Sequence, residues 1–327
     1  MTMYSLGIVI IGRNEGERLR ACIKSAINAT EAVVYVDSGS TDNSVELAKE
    51  LGAEIVGLDL SIPFTAARAR NAGFDHLISH YPSLTYVQFI DGDCELVENW
   101  LQQGIGFLNT NTQFAVVCGR RRERFPNASI YNLICDIEWD TAIGEAKSCG
   151  GDALMRVDAL QSVNGFNDSL IAGEEPELCA RLRQSGWRIS RINAEMTLHD
   201  AAIKYFSQWW KRCKRTGYGI TAGCLMDGLI RDYWLKQAKS IIIWGCILPL
   251  FIFLGCFYSL FFLIVLAVYP AQSMRIAIFK THRIRSSYHK GIYGFFVILS
   301  KFPQLYGMLH FIVDKYQKRK AVIIEYK

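Results

Sequence analysis

Three short apolar runs, each stopped by polar residues, constrain this chain most: 6–11 (LGIVII), 32–37 (AVVYVD) and 85–90 (TYVQFI). Runs this short and this continuous suit strands buried on both faces. Between them the spacing turns helical, with Leu19, Cys22, Ile23 and Ile27 on one stripe of 17–28. A further helix is predicted from near Asn43, a short strand at 54–57 and a helix over 65–79. Strands alternating with helices predict an α/β fold, a wound and mostly parallel sheet with helices on both faces. In such sheets chemistry gathers beyond the carboxyl ends of the strands. Arg13-Asn14-Glu15, Asp37 and Asp91-Gly92-Asp93 stand at three such ends. Farther on, the pattern is less regular, with a strand at 114–118, a Gly-Gly-Asp turn at 150–152 and a charged helix at about 175–185.

Half of the 327 residues are hydrophobic and the mean hydropathy is +0.13, and the excess lies after residue 240. The reading is a catalytic domain over 1–230 and a membrane-associated helical region over 231–327. Residues 240–269 are apolar almost throughout, with Pro249 and Gly255 among the few interruptions, and about 20 apolar residues suffice to cross a bilayer core. A weaker segment, 291–313, carries Lys301, Pro303 and His310 and suits either a crossing or an interfacial helix. Basic residues flank the apolar stretch: Lys236 and Lys239 before it, Arg275, Lys280, Arg283 and Arg285 after it. Because basic flanks favour the cytoplasmic side, a hairpin or re-entrant pair broken near Gly255 is predicted, with one long tilted helix as its competitor.

The net charge of +5 is mild. Basic clusters at 120–124, 211–215 and 280–285 suit anionic lipid or phosphate better than a duplex, so no nucleic-acid partner is expected. The 120–124 cluster reads either as a contact for an anionic lipid-linked molecule or as a solvated basic face. Tyr205, Phe206, Trp209 and Trp210 beside Lys211, Arg212 and Arg215 read as a membrane-surface helix with an aromatic belt. Ten cysteines without a C-x-x-C pair read as reduced thiols. Residues 1–6 lack the basic and apolar regions of a signal peptide.

Two carboxylates flanking one glycine straight after a strand, Asp91-Gly92-Asp93, can face a hard cation such as Mg²⁺ or Mn²⁺ shared with substrate phosphates. The plain alternative is a solvated turn. Asp37-Ser38-Gly39-Ser40-Thr41-Asp42 suits a tight turn whose Ser40 or Asp42 caps the next helix. The same turn suits a nucleoside pocket in which Asp37 accepts hydrogen bonds from base or ribose.

The runs IVIIGRNEGERLRACIKSA, VDSGSTDNS, AARARNAG and FIDGDC, followed by GGDALMRVDAL and AGEEPELCARLRQSGW, together resemble the family 2 glycosyltransferases. That resemblance covers roughly the first 200 residues. It implies a GT-A fold and transfer of sugar from a nucleotide-diphosphate donor, with inversion at the anomeric carbon. It puts Arg13, Glu15 and Asp37 near the nucleoside, Arg70 near the donor, and the metal on Asp91 and Asp93, with Asp93 the more direct ligand. For Arg70 the bland reading is a salt bridge holding the sheet-end loops. Where the family has a Glu-Asp pair this chain has Glu174-Glu175, so Glu175 matches the base that takes the acceptor's proton. The alternative for that pair is simply acids at a helix start. His199 suits a third metal ligand or a diphosphate contact, and otherwise a structural histidine.

Ser38 stands where many members carry a second aspartate, and the Gln-x-x-Arg-Trp signature of processive synthases is absent, which favours single addition. The resemblance implies a membrane-associated acceptor such as a lipid-linked glycan, in cell-surface polysaccharide or glycoconjugate synthesis. A sugar-phosphate nucleotidyltransferase is disfavoured, since Gly12-Arg13-Asn14-Glu15-Gly16 is not a lysine-bearing glycine loop. An inactive scaffold is disfavoured by Asp91, Asp93 and Glu175. A dinucleotide-dependent dehydrogenase lacks its G-x-G-x-x-G after Ile11.

Overall fold

The computed structural model describes residues 6–226, 229–279, 284 and 286–319. The N-terminal segment read for a leader and most of the 280–285 basic cluster lie outside the described residues. The chain divides into two compact units, Met1–Arg124 with Trp139–Ala201, and Phe125–Glu138 with Ala202–Lys327.

The first unit opens with β1 (Leu6–Gly12), α1 (Glu17–Ile27), β2 (Val33–Asp37), α2 (Ser44–Glu50), β3 (Glu54–Gly57), α3 (Ala66–His80) and β4 (Tyr86–Asp91). It continues with β5 (Cys94–Leu96), α4 (Trp100–Thr110) and β6 (Phe114–Glu123). α5 (Ile130–Trp139) leads out of the other unit into β7 (Gly144–Glu145), β8 (Ala153–Arg156), α6 (Val157–Ser162), α7 (Glu174–Gln184) and β9 (Arg188–His199). Among the described residues the strands form one mixed sheet in the order β3-β2-β1-β4-β8-β6-β9-β5, with β7 beside β9. β3, β2, β1 and β4 are parallel to one another, while β8 runs antiparallel to β4 and β6.

β1 is buried from Leu6 through Ile11, as a strand covered on both faces must be. Its alternate side chains meet α3: a methyl at Gly73 would lie 2.5 Å from Val9 Cγ1, so only glycine lets helix and strand approach this closely. Thr65 caps α3 by accepting from Arg68 N at 3.1 Å, the usual task of a threonine before a helix. Lower in the core the buried Gln88 accepts from Trp100 Nε1 at 2.9 Å, which satisfies a polar pair that would otherwise cost a few kcal/mol, ~1–3 per unpaired group.

The second unit holds α5 apart from its last residue, and then α8 (Phe206–Cys224), α9 (Leu229–Ile242), α10 (Leu248–Tyr258), α11 (Val268–Phe279), α12 (Ser287–Leu299) and α13 (Lys301–Tyr316). A wide π-type turn, Ile243–Ile247, joins α9 to α10, and a 3₁₀ stretch, Leu260–Ala267, runs into α11. Among the described residues three helical spans are long and apolar enough to cross a membrane: Arg231–Tyr258, Leu260–Phe279 and Ser287–Tyr316. The break between the first two falls at Ser259, whose backbone is extended (φ −159°, ψ 134°), four residues beyond Gly255. After it the chain returns on itself, with Phe262 packed on Phe251 and Tyr269 donating to Trp244 O at 2.8 Å.

Within α8 the aromatic residues divide. Trp209 is buried against Tyr131 and Phe296, whereas Tyr205 and Phe206 are exposed. Trp209 is therefore core, and the belt predicted for this helix is left with Tyr205, Phe206 and the part-buried Trp210.

Candidate active site

Register brings the strand ends together. Gly12 of β1 pairs with Asp37 of β2, and Ile11 with Asp91 of β4, so the residues following all three strands share one edge. The loop after β1 is stitched to the turn after β2. Asn14 N donates to Ser40 Oγ (2.9 Å), Thr41 N to Asn14 Oδ1 (2.7 Å) and Glu15 N to Ser44 Oγ (3.2 Å). Asp37 organises its own turn, accepting from Gly39 N and Ser40 N at 2.9 Å each and from Tyr35 Oη at 3.2 Å. Gly39 sits at φ 89°, where an L side chain would be strained. Arg13 donates through Nε to Gly39 O and lies over the Phe64 ring at 4.7 Å. Glu15 pairs with Arg18 at 2.9 Å.

Behind that edge lies a chain of charges. Arg70, 2% exposed, donates to Asp91 Oδ1 at 2.9 Å and to Glu174 Oε1 at 2.7 Å. On the other side of Asp91, Arg121 reaches Oδ2 at 3.4 Å and Asp152 Oδ1 at 2.8 Å. Asp152 is fully buried, and accepts from Asp91 N (3.1 Å) and Thr197 Oγ1 (2.8 Å). Burial opposes charge on Arg70, but Asp91 and Glu174 outweigh it and its pKa is raised. Arg121 follows the same logic, with Asp152 as its strongest support. An isolated buried charge would cost several kcal/mol, so these groups hold only as a set.

Asp93 and His199 form a second group. β5 pairs antiparallel with β9 so that Cys94 lies opposite His199, which brings His199 Nε2 to 3.3 Å from Asp93 Oδ2. Both are buried. Trp139 packs its ring at 4.6 Å on the imidazole, and Glu123 Oε2 lies 3.8 Å from Nδ1. Burial lowers the His199 pKa despite Glu123, which favours the neutral imidazole that a metal requires. Asp93, Cys94 and His199 place one ligand atom each within 4.8 Å of one another, and so do Asp91, Cys94 and Asp152. Two ligands bound at ~2.1 Å and a right angle stand about 3.0 Å apart, so Asp93 and His199 fit one cation. Their nitrogen donor suits Mn²⁺ better than Mg²⁺, which favours oxygen throughout.

Glu175 stands in the first turn of α7, which Gly173 enters at φ 85°. Its Oε1 accepts from Cys149 N and from Cys179 Sγ, the latter at 3.1 Å. The pair Glu174-Glu175 thus divides, one carboxylate on Arg70 and the other on the Cys149 loop. Asp91 and Asp93 divide likewise, the first held between arginines and the second beside His199.

The basic cluster at 120–124 changes meaning. Arg121 is spent on Asp91 and Asp152, Arg124 pairs with Glu95, and Arg120 and Arg122 approach Glu195 at 3.8 and 3.7 Å. Arg121 thus points into the site, while Arg120, Arg122 and Arg124 pair with acids nearer the surface, Arg122 remaining exposed. Asp152, Arg121 and Cys94 escaped the sequence reading. The available signal was the Gly-Gly-Asp turn: a methyl at Gly151 would lie 2.8 Å from Arg70 Nη2 and 3.1 Å from Asp91 Oδ2.

The family model described as Glycosyl transferase family 2 matches residues 7–147, and that described as Glycosyl transferase family group 2 matches 90–283, more than half the chain. The chain belongs to glycosyltransferase family 2. Glycosyltransferase AglE of Haloferax volcanii is 23% identical to this transferase over 74% of its chain and 80% of the relative. Succinoglycan biosynthesis protein ExoA of Rhizobium meliloti is 28% identical over 67% and 69%. Among solved structures, the mannosyltransferase PcManGT from Pyrobaculum calidifontis, in complex with GDP-Man and Mn²⁺, covers 96% of this transferase and 89% of that chain, with a TM-score of 0.60 and 15% identity. TarS of S. aureus, residues 1–349, covers 92% and 91% with a TM-score of 0.51 and 14% identity. These likenesses are of fold, and the first unit of the transferase has the GT-A type of α/β fold.

Proposed function

We propose that this transferase moves a sugar, with inversion, from a nucleotide-diphosphate donor to a membrane-associated acceptor such as a lipid-linked glycan. Its setting would be cell-surface polysaccharide or glycoconjugate synthesis, with the catalytic unit on the cytoplasmic side. The observation that carries the reading is the pairing of Asp93 with His199 beside the Arg70–Asp91–Arg121–Asp152 chain. Asp93 and His199 would hold Mn²⁺ or Mg²⁺. When bound, the cation neutralises charge on the departing diphosphate. Arg13, Glu15 and the Asp37 turn would receive the nucleoside, where Asp37's bonds to its own turn fix the pocket floor. Asp91, immobilised by Arg70 and Arg121, would orient the donor without having to reorganise during the reaction. Glu175 would take the proton from the attacking acceptor hydroxyl, its position fixed by the Cys149 amide. Succinoglycan synthesis is named for one relative and GDP-Man with Mn²⁺ for one structural neighbour; both agree with this chemistry.

The test is a panel of nucleotide sugars assayed with the full chain for binding and slow donor hydrolysis, with Mn²⁺, with Mg²⁺ and after chelation. Binding and hydrolysis of at least one donor that disappear on chelation are expected. Metal-independent turnover would overturn the cation assignment, and the absence of any donor would overturn the reading as a whole.

A further inference from the structure

The proposed transfer assigns no step to the two thiols beside Glu175. Cys149 Sγ lies 3.6 Å from Cys179 Sγ, and Cys179 Sγ lies 3.1 Å from Glu175 Oε1. All three residues offer ligand atoms within 4.8 Å of one another. At Zn–S distances of ~2.3 Å, two thiolates on a tetrahedral zinc stand about 3.8 Å apart, and a thiolate and a carboxylate oxygen about 3.5 Å. Both observed edges fall within half an ångström of these values, the shorter one contracted by the thiol's hydrogen bond. Cys179 and Glu175 are buried, whereas Cys149 is part-exposed on the loop before Gly150. Three protein ligands leave the fourth position of a tetrahedral ion to water, the arrangement of an open zinc site. The backbone already favours it: Cys149 N fixes Glu175, and Cys179 lies one helical turn after Glu175 on α7.

We propose that Cys149, Cys179 and Glu175 form a site for one thiophilic divalent cation, Zn²⁺, whose occupancy switches the transferase off. The second half of that statement rests on Glu175 being the base. In the binding step Zn²⁺ forms two Zn–S bonds and one Zn–O bond, and two thiol protons pass to solvent. The site carries a net charge of one minus afterwards, and Glu175 Oε1 can no longer accept the acceptor's proton. A disulfide between the same thiols is the competing device. The Cys149 thiol is pushed well up, by its hydrogen bond to Cys179 and by burial, and burial pushes Cys179 up to about 11. A bound cation supplies the positive charge that both sulfurs lack. Because two protons leave, affinity should rise up to about a hundredfold per pH unit below the thiol pKa values.

The experiment uses the full chain in detergent with Mg²⁺ in excess. Cd²⁺ is titrated as a probe and the cadmium–thiolate charge-transfer absorption is followed. Zn²⁺ is then added to the transfer assay and withdrawn with a zinc-selective chelator. Cys149→Ser and Cys179→Ser are each expected to remove one equivalent of the absorption. Cys149→Ser keeps the amide that holds Glu175, and its own rate without Zn²⁺ is the reference against which its response to Zn²⁺ is read. Zn²⁺ should slow the unaltered enzyme reversibly by about a hundredfold or more, the usual worth of a general base, and leave Cys149→Ser untouched. Unchanged absorption in both variants overturns the site. Absorption that is lost in the variants, with transfer indifferent to Zn²⁺, overturns the inhibition, while turnover of Glu175→Gln decides separately whether Glu175 is the base. Loss of transfer after peroxide, restored by a reductant and abolished in Cys149→Ser, together with no Cd²⁺ absorption, replaces the cation with a disulfide.

Discussion

Arg121 shows how a residue can be read correctly in charge and wrongly in place. In the sequence it is one of four arginines within five positions. In the fold β6 shifts register against β9 between Cys118 and Arg120 and again between Arg120 and Arg121. Such irregularities re-aim side chains, and Arg121 pairs with Asp152, which has no exposure of its own. Arg121→Met is expected to destabilise the first unit by about 3–5 kcal/mol, because it strands a buried carboxylate. Denaturant titration measures it, and a change below ~1 kcal/mol would show that Asp152 does not depend on this partner. Asp93 and His199 carry a different expectation. Asp93→Ala should abolish transfer and metal-dependent donor binding while the unfolding midpoint stays put; full activity would remove the metal from this pair. Glu175→Gln preserves shape and deletes the basic oxygen. Turnover should fall by two to four orders of magnitude with donor affinity unchanged. A parallel loss of donor affinity would make Glu175 a binding or structural residue.

At the level of elements, the first half of the sheet could be read because its strands are uninterrupted apolar runs. β1, β2 and β4 each end within a residue of where the apolar pattern stops, and Asp37 and Asp91 occupy those ends. The second half could not. β5 has three residues and β8 four, too few to show a period, and β9 alternates irregularly across RISRINAEMTLH. Yet β5 and β9 together set His199 beside Asp93, and β8 follows directly on Asp152. The site's legible part thus lies on long strands and its illegible part on short antiparallel ones. In the second unit, glycines decide the helix packing instead. A methyl at Gly307 on α13 would lie 2.0 Å from Lys214 O on α8, and one at Gly217 on α8 would lie 1.9 Å from Gln304 O. Those contacts are with backbone, which cannot swing aside. Gly307→Leu should force the two helices apart, at a cost of about 1–3 kcal/mol or more. Thermal unfolding in detergent and protease sensitivity of 206–224 report the change, and a variant as resistant as the parent would show that α8 and α13 pack differently.

For the molecule as a whole, the question is which path the apolar chain after 230 would take through a bilayer, since three of its helical spans are long and apolar enough to cross one. The span Arg231–Tyr258 has 28 residues and Leu260–Phe279 has 20. At ~1.5 Å per residue each exceeds a hydrocarbon core of about 30 Å or matches it, so each suffices to cross. A single tilted helix through 240–269 would need helical backbone at Ser259, where the chain is extended and its hydroxyl accepts from Phe261 N. The return contacts, Phe251 with Phe262 and Trp244 with Tyr269, join residues on either side of that break. They are the contacts of two antiparallel neighbours. Lys236 and Lys239 lie in the opening turns of the first span and Arg275 near the end of the second, so a hairpin puts both basic ends on one side, as positive-inside sorting favours. Single cysteines at Ser259 and Ser286, in a chain whose native cysteines are replaced, test this in intact cells. An impermeant thiol reagent applied from outside should reach the cysteine at Ser259 and miss the one at Ser286 until the membrane is opened. Protection of both would make the hairpin re-entrant. Labelling at Ser286 from outside would refute the hairpin, because the chain would then have crossed only once between the catalytic unit and α12.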